Sequence, residues 1–188
     1  MPEDDENEWI QASLRGDDAA FARLAVRYRG RVSAMVGRFA RGAHEREDLE
    51  QEVFIRVWRG LGRYRGDAPF EHWIMRVAIR TCYDHLRRHR QRRDLEVLVE
   101  ELPIRSAADA EGDAIRRQRE AWEVVQRLLE HLPEKDRLVV TLIDLEQKSV
   151  KETAALTGWS EANVKVRAFR ARQRLREWHD RLFGETRR

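Results

Sequence analysis

The segment from Ser149 to Arg176, SVKETAALTGWSEANVKVRAFRARQRLR, constrains the fold most, because it carries the start and stop signals of two closely joined helices. Ser149 and Glu152 have the spacing of an S-x-x-E capping box, which begins a helix. Gly158 can take the left-handed conformation that ends that helix, and Ser160 can cap the next one. The segment therefore predicts a helix-turn-helix with a tight turn.

The second helix of this motif has an apolar side and a cationic side. Its apolar residues recur at spacings of four, three and four: Val164, Ala168, Ala171 and Leu175. The basic residues project elsewhere: Lys165, Arg167, Arg170, Arg172 and Arg174. A helix in this position can enter the major groove with its N-terminal residues, so the pattern indicates binding to duplex nucleic acid. The alternative is a charged surface helix in an ordinary helical hairpin.

Composition favours two small helical domains over one large one. Charged residues make up 38% of the 188 residues and hydrophobic residues 41%, so each core is modest, and only four prolines interrupt helical patterns. Cys82 is the single cysteine, which excludes an intramolecular disulfide. No segment resembles a signal peptide or a membrane span, so we expect a cytoplasmic, all-α protein.

Helical periodicity organises the chain into two domains and a linker. An acidic lead of eight residues, expected to be disordered, precedes helices at about 8–15, 19–39, 46–64 and 70–93, with Asp17 or Asp18 capping the second. These helices form a four-helix bundle in residues 1–93. Residues 94–119 are acidic and read as a flexible linker that could hold a short helix. Residues 120–188 form the second domain, with a helix from about Trp122 to His131 and another starting at Pro133.

Metal and enzyme chemistry find little support. Cys82, His85 and His89 have helical spacing for metal ligands, but arginines surround them and a fourth ligand is missing. The chain has no Gly-rich phosphate loop, G-x-S-x-G or H-E-x-x-H motif. We therefore expect no metal, no cofactor and no catalytic residue.

Three segments together resemble a bacterial RNA polymerase sigma factor of the extracytoplasmic-function (ECF) group, group 4 of the sigma-70 family. They are DLEQEVFIRVWRGLGRYRGDAPFEHWIMRVA, DHLRR and LPEKDRLVVTLIDLEQKSVKETAALTGWSEANVKVRAFRARQRLR. The resemblance implies a sigma region 2-like bundle at residues 1–93 and a sigma region 4-like helix-turn-helix domain at residues 120–188. It implies a subunit that binds core RNA polymerase, recognises the −10 and −35 promoter elements and helps melt DNA.

In that family, the helix containing DLEQEVFIRVW docks on the coiled coil of the polymerase beta-prime subunit. The matching polar residues here are Asp48, Gln51 and Glu52, with Arg56 and Arg59 on the same outer surface. The bundle side of the helix is expected to hold Leu49, Val53, Phe54, Val57 and Trp58. Without the resemblance, the outer surface would read as merely solvated. The beta flap is the second implied polymerase contact.

The family reads the −10 element with its fourth helix and the preceding loop, which flips a base into a pocket. The matching loop is residues 64–70, and the implied −10 residues are Tyr64, His72, Trp73, Arg76, Arg80, Asp84, Arg87 and Arg88. Arg80 stands where the group commonly has Asn, so its base preference does not transfer. For Trp73, a place in the protein core is the alternative to stacking on a base.

The resemblance assigns the last helix to the −35 element. The implied residues are Ser160, Asn163, Lys165, Val166, Arg167 and Arg170. Val166 stands where the family often has a small polar residue, which leaves open contact with a thymine methyl or no contact. The acidic linker resembles the family's connector in the polymerase channel, with solubility as the alternative. An anti-sigma factor is an expected partner.

Two other functions remain open at this level. A stand-alone helix-turn-helix regulator would use the N-terminal bundle for dimerisation or sensing and would bind a palindromic site without polymerase. A helical adaptor that binds only protein would leave the arginines of the last helix without a use. The stimulus, regulon and promoter sequence cannot be read from the chain.

Overall fold

The structure is a computed structural model, and it describes residues 3–96 and 113–183. In these ranges the chain is helical and contains no strand, which confirms the all-α prediction. The helices are α1 Glu3–Leu14, α2 Asp18–Gly37, α3 Ala43–Gly60, α4 Phe70–Glu96, α5 Asp113–Glu130, α6 Glu134–Val140, α7 Val150–Thr157 and α8 Glu161–Phe183. A 3-10 turn, Leu61–Arg63, follows α3, and a π-helical turn, Thr141–Leu145, continues α6.

The chain divides into two compact units, the first formed mainly by residues up to His85 and the second mainly by those after it. Residues 97–112, which make up most of the predicted linker, lie outside the described residues, as do residues 1–2 and 184–188. The predicted limits of that linker, residues 94–119, stay a prediction. Helix α4 continues three residues past its start, to Glu96, and α5 begins within it, at Asp113.

The N-terminal unit is built on the predicted apolar stripes. In α2, Leu24, Val32 and Val36 are 0–1% exposed. In α3, Leu49, Val53 and Val57 are 0–3% exposed, and in α4, Phe70, Ile74 and Ala78 are 0–1% exposed. Helix α2 packs against both α1 and α3. The N-terminal four-helix arrangement therefore follows from helical periodicity, as predicted.

The acidic lead does not behave as predicted, because α1 already begins at Glu3. Glu6 accepts a hydrogen bond from the Tyr28 hydroxyl at 2.5 Å and pairs with Arg27 Nε at 3.0 Å. Burial and the adjacent Glu6 raise the pKa of Tyr28 above its ordinary value. Arg27 of α2 thus neutralises the Glu6 carboxylate and the Tyr28 hydroxyl bonds it, although the sequence alone suggested that this carboxylate would stay in solvent. Asp17 caps α2 as predicted, accepting from the backbone N–H groups of Ala19 and Ala20.

The helix-turn-helix forms as predicted. The Ser149 N–H donates to Glu152 Oε2 at 2.8 Å and the Glu152 N–H donates to Ser149 Oγ at 3.1 Å, which completes the reciprocal capping box. Gly158 ends α7 with φ of +77°, and Ser160 Oγ accepts from the Asn163 N–H at 3.3 Å. Pro133 lies at the cap of α6, one residue before the helix.

Helix α8 is seated in the C-terminal unit by two small apolar clusters. Ala171 packs with Leu129, Leu132 and Val140. Val164 and Ala168 pack with Val139. The small side chains at 168 and 171 allow close approach to α6, and the opposite side of α8 is exposed. This packing determines which side chains of α8 can reach a ligand.

Candidate nucleic-acid and protein interfaces

The outer surface of α3 combines exposed polar groups with a fixed ion-pair network. Asp48, Gln51 and Arg59 are exposed, as predicted for a docking surface. Arg56 instead lies between two carboxylates: its Nε is 2.7 Å from Glu52 Oε1 and its Nη1 is 2.7 Å from Asp84 Oδ2. Arg56 therefore joins α3 to α4 and holds the Glu52 carboxylate in place.

Two apolar side chains of α3 also reach this surface, and the sequence reading missed them. Trp58 was predicted to face the bundle, but its exposed fraction is 37%, equal to that of Ile55. The Trp58 ring meets Phe21 edge-on with centroids 4.8 Å apart, so the bundle covers only part of it. Exposed aromatic and aliphatic groups beside polar ones are typical of protein interfaces. Their exposure on this surface could have been predicted from their helical spacing of four and seven residues from Gln51.

Helix α4 presents a row of cations. His72, Arg76, Arg80, Arg87 and Arg88 are all exposed. Asp84 belongs to the same predicted site, but its carboxylate is paired with Arg56. A cationic helix surface of this kind attracts phosphate groups. Asp84 contributes by fixing α4 to α3.

An aromatic cluster shapes the loop before α4. The ring centroids of Tyr64, Phe70 and Trp73 lie 5.2–5.6 Å from one another. Phe70 is buried, and Trp73 is partly exposed and lies close to the backbone of Gly60. The Tyr64 hydroxyl donates to the Ala68 carbonyl at 2.8 Å and closes the loop. Burial raises the pKa of Tyr64 above its ordinary value of 10.0, so the hydroxyl remains a donor even in mildly alkaline solution. Trp73 is therefore neither a buried core residue nor a fully exposed one.

The N-terminal half of α8 exposes most of the residues predicted to meet duplex DNA. Ser160, Asn163, Lys165 and Arg170 are exposed, and Val166 has an exposed fraction of 47%. Phe169, which the sequence reading omitted, is 69% exposed. Its exposure could have been predicted from its position four residues after Lys165, outside the apolar stripe.

Arg167 differs from its neighbours, because it is engaged within the domain. Its Nη1 lies 2.9 Å from Asp136 Oδ1, and its guanidinium stands over the Trp159 ring at 5.4 Å. Arg174 Nη1 binds the other oxygen of Asp136 at 2.6 Å. Arg172 makes a two-point contact with Asp144 at 3.1 and 2.6 Å. No local sequence pattern distinguishes either aspartate from the other acidic residues.

The suggested metal ligands are brought together only in part. Cys82 is completely buried and outside the group, whereas His85 and His89 lie with Glu45, and the ligand atoms of these three residues are all within 4.8 Å of one another. Glu45 Oε1 is 3.2 Å from His85 Nε2. Glu45 also accepts a hydrogen bond from the Arg41 backbone N–H. The absence of a resident metal stays a prediction. In residues 3–96 and 113–183, no helix has the length and apolar character needed to span a bilayer.

Two family models match the chain, one in each half. The model described as Sigma-70 region 2 matches residues 24–92, and Sigma-70, region 4 matches residues 122–175. The RNA polymerase sigma-H factor of Pseudomonas aeruginosa is 30% identical over 181 residues, which is 93% of this chain and 94% of that protein. The ECF RNA polymerase sigma-E factor of Escherichia coli K12 is 32% identical over 172 residues, covering 88% and 90%.

Solved structures show the same fold. CnrH in complex with the cytosolic domain of CnrY aligns with a TM-score of 0.60 at 22% identity, over 94% of this chain and 97% of that one. The sigma factor RpoE from Bartonella quintana, in complex with the anti-sigma factor NepR, aligns with a TM-score of 0.56 at 21% identity, over 84% and 94%. The sequence matches span nearly the full length of both relatives and include both predicted domains. The chain therefore belongs to the ECF sigma factors of the sigma-70 family.

Proposed function

We propose that this chain is a promoter-specificity subunit that binds core RNA polymerase, recognises the −10 and −35 elements and helps melt the DNA. One observation carries the proposal: each half of the chain presents its own exposed cationic helix surface, on α4 and on α8, and α3 presents an exposed polar surface. Two such surfaces suit two promoter elements. The polymerase supplies the chemistry of initiation, and the chain itself is proposed to catalyse no reaction.

The α3 surface is the proposed site for the beta-prime coiled coil. Its polar members are Asp48, Gln51, Glu52, Arg56 and Arg59, with Arg56 acting through the position of Glu52. Ile55 and Trp58 supply the apolar contact that an interface needs, since exposed polar groups alone contribute little affinity. The beta flap is proposed to contact the C-terminal domain.

The surface of α4 and the loop before it is the proposed −10 site. Its members are Tyr64, His72, Trp73, Arg76, Arg80, Asp84, Arg87 and Arg88. The arginines would hold the phosphates of the separated strand, and the partly exposed Trp73 offers a stacking surface at the end of the loop. The bond between Tyr64 and Ala68 pre-forms the loop, which lowers the entropy lost on binding.

The N-terminal half of α8 is the proposed −35 site. Its proposed members are Ser160, Asn163, Lys165, Val166 and Arg170, and Phe169 joins them, whereas Arg167, which the resemblance also implies, is bound by Asp136. Arg170 can bond a guanine edge with two donors, while Ser160 and Lys165 suit phosphate contacts. Val166 and Phe169 offer apolar contact to thymine methyl groups. Arg167 differs from these residues because its guanidinium binds Asp136 within the domain.

We also propose the domain limits 1–93 and 120–188, a connecting role for the acidic segment, and action in the cytoplasm, where core polymerase and promoter DNA meet. An anti-sigma factor is a proposed partner. Support comes from the Bartonella structure, which holds a sigma factor of the same fold with an anti-sigma factor.

Run-off transcription with purified core enzyme and genomic fragments tests the proposal. Adding the chain should raise promoter-specific initiation above that of core enzyme alone. No increase in initiation would refute the sigma function. Binding of a palindromic duplex by the chain alone, as a dimer, would support the stand-alone regulator.

A charge reversal tests the polymerase surface separately. Asp48→Arg should weaken core binding at least tenfold, because it places a cation in the proposed interface, while the helical circular-dichroism signal stays unchanged. Glu8→Arg reverses another exposed negative charge, on α1, and is the matched control. Equal binding by the two variants would exclude α3 as the docking surface.

A further inference from the structure

Asp136 is a buried carboxylate between two arginines of α8. It lies in the first turn of α6, and its side chain is 4% exposed. Its Oδ1 accepts from Arg167 Nη1 at 2.9 Å and its Oδ2 accepts from Arg174 Nη1 at 2.6 Å. The two arginines are seven residues apart, about two helical turns. One carboxylate therefore holds α8 at two points along its axis.

The contacts of Arg167 use its guanidinium within the domain. Besides the bond to Asp136, the group lies 5.4 Å from the centre of the Trp159 ring, a cation–π geometry. The Arg167 side chain is 25% exposed, against 44% for Arg172 and 45% for Arg174. Withdrawing Arg167 would leave the buried charge of Asp136 with one partner, which is costly in a poorly solvated position.

We propose that Asp136 is a positioning residue for the recognition helix, and that it withholds Arg167 from the DNA. Held at two turns, α8 meets the groove at an angle set by α6. Base recognition then depends on the exposed residues Val166, Phe169 and Arg170. This role rests on the proposed function of α8 at the −35 element.

Asp136→Asn, assembled with core polymerase, tests this role on a promoter fragment found by the run-off assay. Binding is measured against salt concentration on the intact fragment and on one with a scrambled −35 element. The substitution keeps the side-chain size but releases both arginines, so each new phosphate contact should steepen the salt slope by about 0.9. Discrimination between the fragments should fall about tenfold, comparable to losing one base-pair contact.

Three variants separate positioning from folding and from direct reading. Asp144→Asn releases only Arg172, from an exposed pair, and should leave discrimination unchanged. Asp136→Glu should restore part of the discrimination, because it returns the charge. Arg167→Gln removes one of the two contacts of Asp136, so it should lower discrimination between the fragments while keeping the preferred base at every position. Loss of preference at a single base pair by Arg167→Gln, at unchanged thermal stability, would make Arg167 a direct reader and overturn the proposal. Unchanged slope and discrimination in Asp136→Asn would also overturn it.

If Asp136→Asn folds poorly, Arg174→Gln replaces it. This variant removes the more exposed of the two arginines that bind Asp136, and it should lower discrimination by less than the tenfold expected for Asp136→Asn. A double-mutant cycle of Asp136→Asn and Arg167→Gln on the thermal unfolding of the full chain needs no promoter. Non-additive shifts in Tm would support the contact between Asp136 and Arg167 even if the run-off assay refuted the sigma function. Additive shifts would refute the positioning role of Asp136 and leave the sigma function untouched.

Discussion

Replacing Arg56 by Gln tests whether its guanidinium holds α3 to α4. Both bonds of the group, to Glu52 and to Asp84, are 2.7 Å long, and its side chain is 32% exposed. Exposed ion pairs contribute about 0–1 kcal/mol and removing one partner of a buried pair costs about 3–5 kcal/mol, so solvent screening places this partly exposed pair at about 1.5 kcal/mol. For a unit of this size we expect the Tm to fall by roughly 6–12 °C.

Thermal unfolding of the full chain, followed by circular dichroism at low and high salt, measures the effect. Arg59→Gln is the matched control on the same helix, because Arg59 is exposed and should shift stability by less than about 0.5 kcal/mol. Asp84→Asn completes a double-mutant cycle with Arg56→Gln. The reasoning fails if Arg56→Gln behaves like the control, or if the cycle shows no coupling between Arg56 and Asp84.

Three further predictions concern pH, promoter binding and helix capping. The raised pKa of Tyr28 means that the folded chain keeps its hydroxyl proton at a pH where the unfolded chain loses it, so stability should fall as pH rises above the ordinary value of 10.0. Tyr28→Phe should flatten this alkaline loss in a pH series of thermal melts, and an unchanged slope would contradict the raised pKa of Tyr28. Phe169→Ala should leave the Tm within about 2 °C, since the ring is 69% exposed, yet weaken promoter binding by holoenzyme; equal binding would exclude Phe169 from the DNA surface. Ser149→Ala removes half of the capping box and should cost about 1 kcal/mol, measured by urea unfolding, whereas Ser149→Asp should retain the cap; no difference between the two would contradict the capping argument.

The features predicted best from sequence depend on residues close along the chain. The capping box joins Ser149 to Glu152, and the left-handed turn needs only Gly158. The apolar stripe at Val164, Ala168 and Ala171 is buried because helical periodicity alone places these positions on one side.

The features predicted poorly depend on partners far along the chain. The acidic lead is helical, and its residue Glu6 contacts Tyr28, 22 residues away, a partner that local sequence does not reveal. Asp136 finds Arg167 and Arg174 at separations of 31 and 38 residues, so nothing local distinguished Arg167 from the exposed Lys165. Trp58 fits an apolar stripe, but how much of its ring the neighbouring helix covers depends on packing.

The sequence by itself determined the helical class and the two cationic helices, because helix caps and helical periodicity depend on residues only three or four apart. It also determined the resemblance to the sigma family, which rests on three continuous segments. Only the tertiary structure decided which polar residues remain available to a partner. A cation is available or engaged according to whether a carboxylate from another helix reaches it, as Asp84 reaches Arg56 and Asp136 reaches Arg167. Those distances exist only once the helices have packed.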